Sequence, residues 1–272
     1  MFLLFILLFF IYQINATTIG IIMVTSPKKR PELQRTLKDL AIALSNQPTN
    51  ITVTDILLLK GCINDCHHLD LEDSLHLYHS LFPNISISSP HFSPFETDGT
   101  QKESWTFDAL SSLWNSIRQP DWSYSTYQKY LIVNFYFLNG LQYLYQNTTV
   151  DYFLMLEDDQ TFDKHLFTEL NELIQENNPR RLFSKIAWCQ LSWCIHVGDR
   201  RFTIDGRKDG VWGAWGAFRS RNEIKMFLKW LKFSRMSESE DTLAERLNHD
   251  LETQVEVKHI SHHFGRDNDI PQ

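Results

Sequence analysis

The sequence predicts an open, mostly parallel α/β sheet with helices on its faces. Three observations carry that prediction. Apolar β-branched runs alternate along the chain with stretches of helical periodicity, the pattern of strands crossed over by helices. The run Tyr152-Phe153-Leu154-Met155-Leu156 is apolar on both faces, as a central strand covered on each side must be. The chain also opens strand, helix, strand, which calls for a right-handed crossover. Its 272 residues fit one domain of the larger kind, with no internal repeat and no long linker.

Thr18 to Val24 reads as the first strand, ended by Thr25-Ser26-Pro27. Pro31 suits the first turn of a helix, in which Leu33, Leu37, Leu40, Ala41 and Leu44 share a face. Ile51 to Leu59 returns to a strand. Residues 83 to 127 hold Pro, Ser and scattered aromatics without sustained periodicity, so a long functional loop is expected there. Tyr127 to Tyr145 is helical and apolar, and the polar Gln146-Asn147-Thr148 turn leads into the central strand. Asp163 can cap a helix whose buried stripe is Leu166, Phe167, Leu170, Leu173 and Ile174. Lys185 to Ile195 reads as a strand, Gly206 to Gly216 as a loop rich in Gly and Trp. Ser220-Arg221-Asn222-Glu223 has the capping-box pattern and opens a helix through about Phe233. Asp241 begins another helix, and Gln254 to Ile260 alternates as a strand that delivers His262-His263-Phe264-Gly265.

Composition narrows the function. Apolar residues make up 43% and charged residues 22%, the balance of a globular protein. A net charge of −7 with scattered Lys and Arg leaves no basic face for a polyanion, so nucleic acid is not an expected partner. Met1 to Tyr12 is uninterrupted apolar or aromatic, and the small-residue site Asn15-Ala16-Thr17 follows, which resembles a secretory signal peptide over residues 1–16. A short signal anchor is the rival reading. The run is shorter than the roughly 20 apolar residues that span a bilayer, which favours cleavage; a membrane enters only if the segment is uncleaved. Residues 17–272 are then the working domain.

Asn15-Ala16-Thr17, Asn50-Ile51-Thr52, Asn84-Ile85-Ser86 and Asn147-Thr148-Thr149 are N-glycosylation acceptor patterns, which have meaning only in that compartment. The cysteines form two close pairs in sequence, Cys62/Cys66 and Cys189/Cys194. In an oxidising lumen they read as two disulfides of open connectivity; their spacing does not suit a zinc site.

Glu157, Asp158 and Asp159 follow the central strand directly, where open α/β sheets bind ligands. Adjacent carboxylates repel unless a cation or hydrogen-bond donors share their charge, so the triplet is a natural seat for a hard divalent ion or a nucleotide. The bland alternative is a solvated acidic turn. Side chains alternate along an extended segment, so Glu157 and Asp159 are expected on one side and Asp158 on the other. His263, after the last strand, is the candidate second ligand. Arg30 near the end of the first strand, and Gln128 at the start of the long helix, are candidates to meet the nucleotide.

The sequence resembles the GT-A type (Rossmann-like) glycosyltransferases. The likeness rests on Ile19-Gly20-Ile21 with the loop through Arg30 and Thr36-Leu37, and on the strand ending in Glu157-Asp158-Asp159. Within that group the pattern is similar to the N-acetylglucosaminyltransferase IV family. Gly213-Ala214-Trp215-Gly216-Ala217-Phe218 resembles its Gly-x-x-Gly-x-x-Phe segment, and His263-Phe264-Gly265 its terminal His-Val-Gly. Phe264 replaces that Val, and the stretch from Cys62 to Trp122 matches nothing in the family.

The resemblance implies a UDP-sugar donor, UDP-GlcNAc, with Mn2+ joining the diphosphate to Asp159 and His263, and Glu157 or Asp158 on the ribose or a metal-bound water. It implies a glycan or glycoprotein acceptor and a place in the secretory lumen, the Golgi. For an inverting transfer it implies a general base, matched by Asp241, which would serve equally well as a helix N-cap. Two other functions stay open. A lumenal glycan-binding protein could keep the fold without turnover, and the same pattern is shared by transferases of N-acetylgalactosamine to GPI glycans. A metal-dependent hydrolase would want several dispersed acids and histidines able to hold two metals, and the sequence offers only one clear cluster.

Overall fold

The computed structural model describes residues 16–25, 32–60, 69–90, 124–175, 181–185, 201–205, 217–234, 254–258 and 261–263. Strands β1 (Thr17–Thr25) and β2 (Ile51–Lys60) flank helix α1 (Leu33–Ser45), which confirms the opening strand, helix, strand unit. Helix α1 begins after Glu32, just beyond the expected Pro31, and buries Leu33, Thr36, Leu37, Leu40, Ala43 and Leu44. Helix α2 (Leu69–Leu81) and the short strand β3 (Ser86–Ser88) follow. Neither was expected. The inward stripe of α2 runs Leu71, Ser74, Tyr78 and on to Phe82, so a buried serine interrupts the apolar period.

Helix α3 (Tyr124–Asn147) is longer at both ends than the pattern indicated, and β4 (Tyr152–Glu157) is the expected central strand. Next come a short strand β5 (Gln160–Phe162), helix α4 (Leu166–Gln175) and β6 (Arg181–Lys185). Asp163 caps the turn before α4 rather than the helix itself, its Oδ1 accepting the His165 N–H at 2.7 Å. Of the strand expected over Lys185 to Ile195, Lys185 is the last residue of β6 and the rest lies outside the described residues. Strand β7 (Arg201–Asp205), strand β8 (Ala217–Ser220), helix α5 (Arg221–Ser234), β9 (Gln254–Lys258) and β10 (Ser261–His263) complete the described elements. The capping box forms in both directions: Glu223 N–H donates to Ser220 Oγ at 3.3 Å, and Ser220 N–H donates to the Glu223 carboxylate. Among the described residues no helix is long and apolar enough to cross a membrane.

Eight strands form the main sheet in the order β3-β2-β1-β4-β8-β6-β9-β7. Strands β3, β2, β1 and β4 are parallel, β8 runs against them, β6 and β9 return to the first direction, and β7 opposes β9. The sheet is therefore mostly parallel and open, as the sequence predicted. Ile19, Ile21 and Met23 pack with Leu154 and Leu156 against α1 and α4. The other face of β1 lies against α3. A Cβ on Gly20 would stand 2.7 Å from Leu144 Cδ2, and one on Gly140 would stand 2.3 Å from Leu59 Cδ1. Those two glycines let helix and sheet approach, and they show that α3 runs antiparallel to β1 and β2.

Candidate functional site

From β1 the chain passes to β2 and β3 on one side, and β4 lies on the other, so the strand order reverses between β1 and β4. A crevice opens at the carboxyl ends of strands at such a switch point. Six residues of β1 pair with β4, from Ile19 with Tyr152 to Val24 with Glu157. One step beyond that ladder Thr25 faces Asp158. Thr25 Oγ1 donates to Asp158 Oδ2 at 2.6 Å in a buried setting, a short charge-assisted bond. Thr36, one turn into α1, donates its hydroxyl to the Asp158 carbonyl oxygen at 2.8 Å. The acidic turn is thus fastened to both β1 and α1 through its middle residue.

The expected alternation of the three carboxylates assumes an extended segment through all three, and the backbone is not extended there. Extended backbone ends at Glu157, and Asp158-Asp159 makes a tight turn into β5, so the pleat does not sort their side chains. Glu157 is half-buried, while Asp158 and Asp159 are both buried, 5% and 6% exposed. Glu157 N–H donates to Gln160 Oε1 at 3.1 Å, which closes the turn from beneath. Gln160 is fully buried, and its amide Nε2 has no hydrogen-bond partner among the described residues. Thr25, Thr36 and Gln160 are site residues that sequence reasoning missed. Continuing the parallel register past Val24 and Glu157 would have found Thr25; nothing in the sequence marks Thr36 or Gln160.

Strand β5 pairs antiparallel with β10: Ser261 with Phe162, His262 with Thr161, and His263 with Gln160. His263, more than a hundred residues away in the chain, therefore stands in register with the residue after Asp159. The sequence offers His263 as a residue after a strand and, through the family resemblance, as a metal ligand; the pairing with Gln160 is new. Gln128 lies near the start of α3. Its helix runs antiparallel to β1, away from the carboxyl edge of the sheet, so at 1.5 Å per residue Gln128 lies about 18 Å before Gly140 along the helix axis, toward the carboxyl-end side. Arg30, Asp241, the Gly- and Trp-rich loop, residues 1–15 and the four cysteines lie outside the described residues.

Among the described residues no three His, Cys, Asp or Glu side chains form a complete metal cage. Carboxylate oxygens of the kind Glu157 and Asp159 carry are those a hard divalent ion takes, and the backbone of His263 lies in register one residue on. Asp158 is engaged with Thr25. The orphaned Gln160 amide adds a buried donor beside them, of the kind an anionic ligand or a bound water satisfies.

No family model matches the chain, and no curated protein matches its sequence. Solved structures with a similar arrangement include 4-diphosphocytidyl-2C-methyl-D-erythritol synthase from Anaerococcus prevotii, at 13% identity and TM-score 0.46, with 90% of each chain covered. Another is residues 1–349 of S. aureus TarS, at 9% identity and TM-score 0.46, covering 93% of this chain and 62% of that one. The same TarS segment in complex with UDP-GlcNAc shares 10% identity at TM-score 0.46, with 91% and 60% covered. Likeness this distant assigns no activity to the chain.

Proposed function

We propose that the chain is a metal-dependent glycosyltransferase that moves GlcNAc from UDP-GlcNAc to a glycoprotein glycan in the secretory lumen, the Golgi. One observation carries the reading: Glu157, Asp158 and Asp159 sit at the switch point between β1 and β4, with His263 brought into register beside them. A solvated acidic turn would not bury two of its three carboxylates. The hydrophobic leader and the sequons support the lumenal placement.

In this reading Asp159 and His263 hold Mn2+ at the donor diphosphate. When bound, the ion supplies charge neutralisation for the departing UDP. Asp158, locked by Thr25 and Thr36, keeps the turn in place so that Asp159 needs no reorganisation when donor arrives. Glu157 meets the ribose, with Arg30 and Gln128 contributing to nucleotide binding. Asp241 takes the proton of the acceptor hydroxyl as that oxygen attacks the anomeric carbon, the sugar inverts, and UDP leaves.

The test is transfer from radiolabelled UDP-GlcNAc and UDP-GalNAc to a glycoprotein acceptor and to a GPI glycan, with Mn2+ and with EDTA. Transfer of GlcNAc to glycoprotein is expected with Mn2+ only, and Asp241→Asn should lower kcat by about 10²- to 10⁴-fold. Transfer of GalNAc to the GPI glycan would replace donor and acceptor. Folded protein that transfers neither sugar would contradict the reading.

A further inference from the structure

The acceptor patterns for N-glycosylation take on an order in the fold that the sequence does not display. Asn50 immediately precedes β2, Asn84 lies in the turn before β3, and Asn147 ends α3 ahead of β4. Those three strands and β1 are parallel neighbours, so the three asparagines gather on the amino-end rim of the sheet. The acidic turn is at the opposite, carboxyl-end rim. The three positions are not equivalent. Asn84 and Asn147 are exposed, and the Asn147 carboxamide donates to the Tyr143 carbonyl on its own helix, at 2.8 Å. Asn50 is half-buried; its Nδ2 donates to Asn171 Oδ1 at 2.8 Å, and its carbonyl accepts the Thr17 N–H at 2.8 Å.

We propose that the amino-end rim is a glycan-bearing face, with N-linked oligosaccharide on Asn84 and Asn147 and none on Asn50. The co-reactant is an oligosaccharide carried on a lipid diphosphate. The asparagine Nδ2 attacks its anomeric carbon, the N–C bond forms, the bond from that carbon to the diphosphate oxygen breaks, the lipid diphosphate leaves, and an amide proton is lost to base. At Asn84 the product projects into solvent. At Asn147 the modified nitrogen keeps one N–H for Tyr143. At Asn50 a bulky substituent would have to fit against Asn171 at a half-buried nitrogen, so chains modified there do not reach the folded, exported pool. The division of the molecule follows: hydrophilic glycans cover one rim and leave the carboxyl-end crevice open to substrate.

This inference shares with the proposed function only the lumenal compartment, and it is read without donor or turnover. The full chain is expressed in a eukaryotic secretory host, and the exported protein is treated with peptide N-glycosidase in heavy-oxygen water. That treatment converts each glycosylated Asn to labelled Asp, which peptide mass spectrometry locates. Label is expected at positions 84 and 147 and not at 50. In parallel, Asn84→Gln and Asn147→Gln should each remove one glycosidase-sensitive step in electrophoretic mobility, and Asn50→Gln none. An unlabelled Asn84 or Asn147, or a labelled Asn50, overturns the proposal.

Discussion

The β1–β4 ladder is closed at each end by the same pair of residue types, and the two closures differ in what surrounds them. At the amino end Asp151 accepts both the backbone N–H of Thr18, at 2.9 Å, and its hydroxyl, at 2.8 Å, in an exposed setting. Arg221 locks the same corner. Its N–H donates to the Asp151 carbonyl, its guanidinium donates to the Tyr145 and Val150 carbonyls, and the guanidinium carbon lies 4.5 Å from the Tyr145 ring centroid. At the carboxyl end Asp158 accepts the Thr25 hydroxyl, but it is buried and flanked by two further carboxylates. One end satisfies its polar groups and faces away from the crevice. The other concentrates negative charge where a fold optimised for stability alone would not, which is the usual mark of a binding site.

Equivalent substitutions at the two ends should therefore differ. The largest effect is expected from Thr25→Val, which leaves a buried carboxylate one donor short and should cost about 2 to 3 kcal/mol in urea unfolding. Thr18→Val, half-buried against the exposed Asp151 and with its backbone N–H still bonded to it, should cost about 0.5 to 1 kcal/mol. Equal losses would erase the distinction.

The next comparison predicts opposite signs. Asp159→Asn removes one of three neighbouring negative charges and should raise metal-free stability by about 1 kcal/mol. Asp151→Asn weakens two bonds to Thr18 without relieving any comparable crowding, so it should lower stability by about 1 kcal/mol. Added Mn2+ should stabilise the parent chain and leave Asp159→Asn unchanged, as ligand linkage requires. Thermal unfolding with and without the ion checks all three statements. The smallest effect is Glu223→Ala, which opens the capping box beside the amino-end corner. It should cost about 0.5 to 1 kcal/mol with no change in ligand binding, and a loss of donor affinity would show that the two ends are coupled.

What was legible in the sequence follows from the range of the forces involved. The central strand, the helices at Leu33 and Leu166, and the capping box at Ser220 were readable because each is written in local periodicity or a fixed short spacing. Helix α2 was not, because its buried stripe passes through Ser74; β5 and β10 were not, because three-residue strands carry no period. The acidic triplet could be found from its place after a buried strand. The clamp by Thr25 and Thr36 depends on contacts between distant segments, which a single sequence does not record, and the tight turn that Gln160 closes is too short to show a period. His263 shows the boundary between the two: a strand before it was visible, but its pairing with Gln160 was not.

The proposed role of the carboxyl-end carboxylates is to hold a metal against a nucleotide diphosphate. The direct measurement is calorimetric titration with UDP and UDP-GlcNAc, in Mn2+ and in EDTA, of the parent chain, Asp159→Ala and Asp151→Ala. Binding that requires Mn2+, disappears in Asp159→Ala and survives in Asp151→Ala is the predicted result. Folded protein that binds no nucleotide, or binds it equally well in EDTA, would contradict the account.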